Sequence, residues 1–350
     1  MSWFVKNLFA VDIGTRTLKG LKLKKSRGKI SIASYFFHDL LKENDSFPVV
    51  ADLSDKLKSL IAVNALAHQQ VITCLQDLDM LNQDVTLPDM PKADLEVAIK
   101  NNLEEHFNLP AEQARLAYVK LESKDKNGVL IHKYKIYGAH QERVDSQIQT
   151  LQDVGLRPKI VDSSVLAQVA MLKHNEFIEA DKCYGLLEIG DAHSTISLIV
   201  HDKVHLINVL PIGVGSINKL LFETMGISYE RAELLKFTYD LEERSGQPDE
   251  IQQHCDEVFN ELFYRMQRIV GFFKVYLKDE KIKSLLITGG GSQVKNLDKH
   301  FEANFGLPTV IVNPFKNIEI INGQSDQQDK LGEIAPYMAT AVGLALRGLV

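Results

Sequence analysis

One short pattern occurs in each half of this 350-residue chain. Val11-Asp12-Ile13-Gly14 and Leu187-Glu188-Ile189-Gly190 each place an acid and a glycine at the end of an apolar run. Small polar residues and a second apolar run follow both times, as in two strands joined by a tight turn. Similarity at half the chain length indicates an internal duplication, so we predict two related lobes with one such hairpin each.

The acid that ends each first strand requires a charged or polar partner. A buried carboxylate is costly unless a cation meets it. The turn after Asp12, Gly14-Thr15-Arg16-Thr17, offers N–H and O–H donors to an anion. The two hairpins therefore predict a magnesium and phosphate site between the lobes. For the first hairpin taken alone, an acid that only bonds its own turn is an equal alternative.

A third motif, Ile287-Thr288-Gly289-Gly290-Gly291-Ser292, places three glycines between an apolar strand and a predicted helix. Glycines allow the backbone to approach a flat ligand or a phosphate, and a helix N-terminus favours an anion. The run lacks the Walker lysine and the spaced dinucleotide fingerprint, so alone it is a weak signal. Together with the hairpins it favours a nucleotide site.

Composition limits the class of protein. A net charge of -6 argues against nucleic-acid binding, and 45% hydrophobic with 25% charged residues is ordinary for a globular protein. Cys74, Cys183 and Cys255 show no metal-ligand spacing and fit a reducing compartment. The apolar runs are too short for a signal peptide or a membrane span. We expect a cytoplasmic protein that reaches a membrane only through a partner.

Strand and helix patterns alternate along the chain, which predicts an α/β protein. From Val85 to about Gly155, an amphipathic helix at Lys92–Phe107 and two strand patterns predict an inserted α+β subdomain. We predict the first part of lobe I at residues 1–84, the insert at 85–155, a link at 156–182, lobe II at 183–335, and a closing helix that returns to lobe I at 336–350.

The sequence leaves more than one interpretation open for two polar features, the pair Glu233 and Lys236 and the residue His193. Glu233 and Lys236 lie three residues apart on a helix that Ser228 should cap. Spacing alone favours an exposed ion pair worth about 0.2–0.5 kcal/mol. His193, in a hydroxyl-rich turn, fits a phosphate contact and a solvated loop residue equally well.

These residues together resemble the signatures of the actin-like ATPase superfamily, in the same order along the chain. They are Asp12 to Thr15 with Lys19, the hairpin at Glu188 to Gly190, Gly213-Val214-Gly215-Ser216 before a helix, the pair Glu233 and Lys236, and the run Ile287 to Gly291. Whole segments, such as "MGISYERAELLK" and "LLITGGGSQVKNLDKHFEANFG", are similar to the PilM family of type IV pilus assembly proteins. The insert resembles the one that the PilM and FtsA families share.

The resemblance implies an actin-like ATPase fold, with two duplicated RNase H-like lobes around a cleft that binds ATP or ADP with Mg²⁺. Asp12 and Glu188 would lie at the metal and the reaction centre, and Asp162, Gln168 and Glu188 are candidates for positioning water. The residues implied to bind the nucleotide are Gly14, Thr15, Arg16, Thr17, Lys19, Gly190, Asp191, His193, Ser194, Thr195, Gly213, Gly215, Glu233, Lys236, Gly289, Gly290, Gly291 and Ser292.

One residue departs from the family pattern. Glu188 stands where the family usually has aspartate, and its extra methylene moves the carboxylate by about 1.5 Å. Catalytic groups tolerate such displacements poorly. We therefore expect nucleotide binding with slow hydrolysis or none.

The implied function is that of an ATP-binding component of the type IV pilus inner-membrane platform, peripheral to the membrane. Its partner would be the N-terminal cytoplasmic segment of a PilN-like membrane protein, held between lobe I and the insert, with other platform and motor components nearby. Leu95, Ile99, Leu103 and Phe107 are assigned to the core of the insert, not to that groove. Self-association, a filament-forming actin homologue and an FtsA-like division protein stay open as alternatives.

Overall fold

The computed structural model describes residues 7–40, 50–107, 109–241, 249–278, 280–320 and 325–349. Lobe I is built on a six-stranded sheet. In spatial order its strands are β14 (Glu319–Ile320), β3 (Lys29–Asp39), β2 (Thr17–Ser26), β1 (Phe9–Ile13), β4 (Gln70–Leu75) and β8 (Arg157–Ser163). The short strand β14 thus joins lobe I although it follows most of lobe II in the chain.

Lobe II repeats the strand arrangement of lobe I in a five-stranded sheet. Its order is β11 (Lys203–Leu210), β10 (Ser194–Val200), β9 (Cys183–Ile189), β12 (Ile282–Thr288) and β13 (Thr309–Ile311). β1 pairs antiparallel with β2 and parallel with β4, and β9 has the same relations to β10 and β12. Both predicted hairpins are confirmed.

A separate three-stranded sheet forms the insert, in the order β5 (Leu81–Pro88), β7 (Val129–His140) and β6 (Ala114–Lys126). The helix α2 (Lys92–Phe107) has the predicted bounds. Leu95, Ile99 and Leu103 are buried against this sheet and Phe107 packs at the margin, so their assignment to the core of the insert is confirmed. The next helix, α3 (Gln141–Asp153), buries Leu151 in the core of lobe I.

The remaining helices cover the two larger sheets. They are α1 (Val50–Val63), α4 (Ser164–His174), α5 (Gly215–Met225), α6 (Tyr229–Thr238), α7 (Asp249–Leu277), α8 (Leu297–Phe305), α9 (Ser325–Ile334) and α10 (Ala339–Arg347). The Ser228 hydroxyl accepts a hydrogen bond from the Arg231 N–H at 3.3 Å, which confirms the predicted N-cap of α6. In the part of the chain that the structure describes, no helix combines the length and apolar character needed to cross a bilayer.

Helices α4 and α10 pack closely beneath the junction of the lobes. Gly343 of α10 lies against the backbone of Ala167 in α4, where an added Cβ would overlap the Ala167 carbonyl group. Both helices are buried against lobe I residues such as Ala10 and Ile72. This close approach brings the α4 and α10 side chains Gln168 and Thr340 within 3.1 Å of each other, below the end of β9.

The insert also contacts lobe II through a polar cluster. The Lys135 Nζ donates to Asp84 at 3.1 Å within the insert and to the His205 carbonyl of β11 at 2.9 Å. The Tyr276 hydroxyl of α7 accepts from Lys133 at 2.7 Å and lies 3.0 Å from His205 Nδ1. Burial, with Lys133 nearby, lowers the pKa of His205 to about 4, so this histidine is neutral near pH 7.

Replacement of Gly343 tests the packing of α4 on α10. We expect Gly343→Ala to lower the free energy of unfolding by about 1–3 kcal/mol, because the methyl group forces the two helices apart. Gly271→Ala, in the interior of α7 where an added Cβ meets nothing, is the matched control. It should gain up to about 1 kcal/mol from helix propensity. Urea unfolding compares the two, and equal stabilisation of both variants would contradict the close approach.

Candidate functional site

A cleft between the lobes is lined by both hairpins and by the glycine run. Of the predicted site residues, those that line it are Asp12, Gly14, Thr15, Arg16, Thr17, Lys19, Glu188, Gly190, Asp191, His193, Glu233, Lys236, Gly289, Gly290 and Gly291. The other predicted residues do not line it: Ser194, Thr195, Gly213, Gly215 and Ser292. Of these, Gly215 lines an adjoining cavity that shares Gly14, Thr15 and Asp191 with the cleft. The fold thus brings together residues that are up to 279 positions apart, from Asp12 to Gly291.

The first hairpin supplies a cation for its own acid. Asp12 and Lys19 are cross-strand partners on β1 and β2, and both are buried. The Lys19 Nζ lies 2.8 Å from the Asp12 carboxylate. The turn is closed by a hydrogen bond from the Gly14 N–H to the Thr17 carbonyl at 3.0 Å. The hairpin therefore supplies the cationic partner that a buried carboxylate requires.

The second hairpin is joined to lobe I through Asp77, which sequence reasoning missed. Asp77 begins a short 3-10 helix, Asp77–Asp79, after β4. Its carboxylate accepts hydrogen bonds from the Ser164 hydroxyl and, at 2.7 Å, from the Thr195 hydroxyl of β10. Burial raises the pKa of Asp77, whereas the two hydroxyls favour the charged form. The signal that could have identified Asp77 is the one used for Asp12, an acid close to the end of an apolar strand.

Glu188 completes a group of three carboxyl groups at the floor of the cleft. Burial raises its pKa to about 8, and the charges of Asp77 and Asp12 act in the same direction. Lys19 opposes this shift but is already paired with Asp12. Oxygen ligands with excess negative charge are the donors that Mg²⁺ prefers, so the residues present fit this ion.

Of the candidates for positioning water, Gln168 supports Glu188 from behind. The Gln168 side-chain amide donates to the Thr340 hydroxyl at 3.1 Å, and that hydroxyl lies 3.4 Å from the Glu188 carboxylate. Asp162 is instead held by the Arg347 guanidinium, with one contact at 3.2 Å, and does not line the cleft. Gln168 can fix the Glu188 side chain, and Asp162 contributes nothing to the cleft wall.

Arg16 spans the cleft from lobe I to lobe II. Its guanidinium donates to Asp39 of β3 at 2.9 and 2.6 Å, and it also contacts Glu233 of α6. Glu233 accepts further hydrogen bonds from Lys236 at 2.6 Å and Asn218 at 2.5 Å. Burial opposes the charge on Glu233, but Lys236 and Arg16 hold its pKa below the usual range. The expectation of an exposed pair is wrong, because Glu233 and Lys236 are both buried by contact with lobe I and the core of lobe II.

The glycine run is required by the close packing of β12 against the second hairpin. Gly289 has a φ of 86°, and an added Cβ there would overlap the Ile189 backbone. At Gly291 it would meet the Ile189 side chain, and at Gly290 the ring of Tyr337. Glycine is therefore needed here by the protein itself, and the same lack of side chains leaves the backbone open to a ligand.

The predicted order of strand, glycines and helix is confirmed, but the α-helix does not begin at the glycines themselves. A short 3-10 helix, Gly290–Gln293, follows instead, and α8 begins only at Leu297. At this point Gly289 and Gly291 pack directly against Ile189. The Ser292 hydroxyl is buried and has no hydrogen-bond partner among the described residues.

The second turn is supported from beneath by a glycine pair. An added Cβ at Gly213 or Gly215 would overlap Asp191, whose carbonyl accepts from the Gly215 N–H at 2.9 Å. Ser194 donates to a backbone carbonyl at 2.8 Å, so its hydroxyl holds the turn in place. Burial lowers the pKa of His193, which lines the cleft as a neutral side chain near pH 7. The reading of His193 as a solvated loop residue is not supported.

Several lining residues carried no recognisable signal in the sequence. They are Cys74, Gln76, Phe237, Tyr337 and Thr340. Each is a single residue that reaches the cleft through tertiary packing. Burial and the nearby charge of Asp12 raise the pKa of Cys74, so it remains a neutral thiol.

Two lobes of the same topology, each with an acid and glycine hairpin facing a shared cleft, define the actin-like ATPase fold. Three of the solved structures with a similar fold illustrate this. A chain of a PilM-PilN type IV pilus biogenesis complex matches with a TM-score of 0.82 and 21% identity over 99% of each chain. The ethanolamine utilization protein EutJ from Carboxydothermus hydrogenoformans matches with a TM-score of 0.54 and 14% identity over 97% of this chain and 89% of that one. MreB5 of Spiroplasma citri bound to ADP matches with a TM-score of 0.50 and 11% identity over 94% of this chain and 98% of that one.

The sequence assigns the chain to a narrower group of proteins than the shared fold does. A model of the family described as type IV pilus assembly protein PilM matches residues 10–349. The chain therefore belongs to the PilM family of type IV pilus assembly proteins.

Neutralisation of Glu233 tests the contact across the cleft. Glu233→Gln leaves Arg16 and the fully buried Lys236 without their shared counter-charge, so we expect a loss of about 3–5 kcal/mol in the free energy of unfolding. Glu230→Gln, on the exposed side of the same helix, should change it by less than about 0.5 kcal/mol. Urea denaturation of both variants measures the free energy of unfolding. A Glu233→Gln loss as small as that of the control would show that the buried pair is absent in solution.

Proposed function

We propose that this protein is a nucleotide-binding component of the type IV pilus assembly platform that binds ATP or ADP with Mg²⁺ in its cleft. We further propose that it docks the N-terminal cytoplasmic segment of a PilN-like membrane protein in a nucleotide-dependent way. The observation that carries the proposal is the family match over residues 10–349, joined to a cleft in which both hairpins and the glycine run meet.

The chemistry of the cleft supports the nucleotide part of the proposal. Backbone N–H groups of the two turns and the side-chain-free glycine run can approach phosphates and a nucleoside. Asp12, Asp77 and Glu188 would hold Mg²⁺, in part through water, and the ion would supply neutralisation of phosphate charge. The structurally similar MreB5 contains ADP.

The protonation state of Glu188 in the free protein differs from the one that a bound cation would require. With a pKa of about 8, Glu188 is mostly protonated near pH 7 in the protein without a cation. A protonated carboxyl group cannot accept a proton from an attacking water. Its role in the free protein is therefore that of a hydrogen-bonding group beside Thr340, and binding of a cation would require its proton to leave.

Arg16 links occupancy of the cleft to the separation of the lobes. Its contacts with Asp39 in lobe I and Glu233 in lobe II cross the space between the hairpins and α6. A phosphate that enters there competes with Glu233 for the same guanidinium, because arginine binds carboxylates and phosphates with the same donors. Nucleotide binding would then replace one inter-lobe contact by another.

The insert is placed to transmit this change to a partner. Ala139 of the insert packs with Leu75 and Val144 of lobe I, whereas Lys133 donates to Tyr276 of lobe II. A relative movement of the lobes must strain or break one of these two attachments. A segment held between lobe I and the insert would experience that movement directly, and a short extended segment suits such a groove.

A negative charge introduced at Thr15 tests whether the phosphates bind in the cleft. Thr15 is exposed at the tip of the first turn and lines the cleft. We expect Thr15→Glu to weaken binding of ATP with Mg²⁺ by at least about tenfold, because a carboxylate is placed beside the phosphates. Thr15→Gln has the same shape without the charge and should bind much closer to wild type. Titration calorimetry with both variants is the measurement. Equal affinities of the two variants for ATP would show that the phosphates do not bind at this turn.

The attachment of the insert to lobe II tests the nucleotide-dependent docking. A peptide with the cytoplasmic N-terminal sequence of the PilN-like partner should bind the wild-type protein with an affinity that differs between the ATP-loaded and nucleotide-free states. Tyr276→Phe keeps the ring but removes the hydroxyl that contacts Lys133 and His205, so it should reduce this difference. Tyr264→Phe, at an exposed position of the same helix, should leave it unchanged. Fluorescence anisotropy of the labelled peptide provides the affinities.

Two results would contradict this proposal. If the protein bound the peptide and a scrambled control peptide with equal affinity, the proposed docking of a PilN-like segment would be wrong. ATP-dependent sedimentation of the protein without peptide binding would favour the filament-forming alternative.

A further inference from the structure

Three metal-ligating side chains meet at the end of lobe II that is remote from the cleft. Cys183 begins β9, His201 lies in the turn between β10 and β11, and Glu280 lies between α7 and β12. Glu188 lies five positions after Cys183 on β9, which corresponds to about 16 Å at 3.3 Å per residue. The cluster is therefore separate from the proposed nucleotide site.

The donor atoms of the cluster are already close together. The Cys183 Sγ donates to the Glu280 Oε2 at 2.9 Å, and the His201 Nε2 lies 3.1 Å from the same oxygen. All three donor atoms lie within 4.8 Å of one another. Ligands at about 2.0–2.3 Å from a tetrahedral ion are roughly 3–4 Å apart. Only a small adjustment of side chains would place one ion among them.

The backbone and the burial of the three residues favour binding of an ion from solvent. His201 has a φ of 47°, and its N–H donates to the Lys182 carbonyl at 3.2 Å, so the turn is held beside the start of β9. The Cys183 side chain is buried, whereas His201 and Glu280 are 53% and 46% exposed. The sulfur closes the inner side and the other two ligands leave the outer side open.

The donor set selects the class of metal. A thiolate and an imidazole are poor ligands for Mg²⁺ and Ca²⁺, but together with a carboxylate they suit Zn²⁺. We propose that Cys183, His201 and Glu280 form a binding site for Zn²⁺, with water in the fourth position. The bound ion ties the chain segment after α7 to the start of β9 and to the turn at His201. Because metal binding requires the thiolate, the Cys183 proton is released to solvent when the ion binds.

A nucleophilic cysteine is not supported by the same contacts. The side chain that accepts a hydrogen bond from the Cys183 thiol is an acid, Glu280. Activation of a thiol requires a nearby positive charge or base that lowers its pKa. The contact with Glu280 does not supply such a group, so the metal site rests on the positions of the three donor atoms.

The test uses Co²⁺ as a spectroscopic substitute for Zn²⁺ on the full chain after treatment with a chelator. We expect one equivalent of Co²⁺ to bind with thiolate-to-metal charge-transfer absorption in the near ultraviolet, and Zn²⁺ to displace it. Cys183→Ser should lose this absorption, whereas Cys255→Ala, a buried cysteine of the same lobe, should retain it. His201→Asn tolerates the left-handed backbone. It and Glu280→Gln should each weaken binding by more than about tenfold.

A second measurement, the melting temperature with and without Zn²⁺, distinguishes loss of metal binding from failure to fold. Zn²⁺ should raise the melting temperature of the wild-type protein, and this increase should be lost in His201→Asn and Glu280→Gln, whose altered side chains are half-exposed. Absence of thiolate absorption in the wild type, or its persistence in Cys183→Ser, would overturn the proposal. So would an unchanged Zn²⁺ effect in both half-exposed variants. None of these readouts depends on nucleotide binding, so they test this site independently of the proposed function.

Discussion

The ion pair between Asp12 and Lys19 makes the rest of the cleft possible. A carboxylate at the end of a buried strand would otherwise lose its charge or destabilise the sheet. The returning strand places the Lys19 Nζ 2.8 Å from Asp12, so the compensation is built into the hairpin itself. The other two acids are compensated differently: Asp77 by hydroxyl groups from α4 and β10, and Glu188 by a raised pKa. The result is a polar floor with room for a cation.

The two lobes are held together at more than one level. Beneath the cleft, α10 packs closely on α4 at Gly343 and Ala167, and the core around these two helices includes Leu186 and Leu286 of lobe II. This packing resists movement because dense interiors deform little. Within the cleft, Arg16 joins Asp39 to Glu233 through charged side chains, which can exchange partners. Rigid packing at the base and exchangeable contacts at the mouth are the arrangement expected of lobes that move about a hinge.

The insert and the cysteine cluster place further contacts on lobe II. Lys133 and Lys135 attach the insert to β11 and α7, near Tyr276. The segment after α7 then reaches Glu280, which contacts Cys183. The end of α7 is therefore fixed on one side by the insert and on the other by the sheet. A metal ion at Cys183 would strengthen the second attachment without contacting the first.

Much of the architecture follows from local signals in the sequence. The hairpins at Asp12 and Glu188, the cap at Ser228 and the bounds of α2 were all predicted and confirmed. These features depend on turn chemistry and on the period of apolar residues, which act over a few positions along the chain. The duplication was visible for the same reason, because each hairpin carries its own pattern.

Other features exist only in the folded molecule. Spacing alone favoured an exposed pair at Glu233, but the pair is buried because Arg16 reaches it from 217 positions away. Asp77 entered the site because β4 runs parallel to β1 and ends at the same edge of the sheet. The cysteines showed no metal spacing, yet Cys183 meets a histidine and a glutamate that come from two other segments. Such contacts are decided by which strands and helices pack together, and no local pattern in the sequence records that choice.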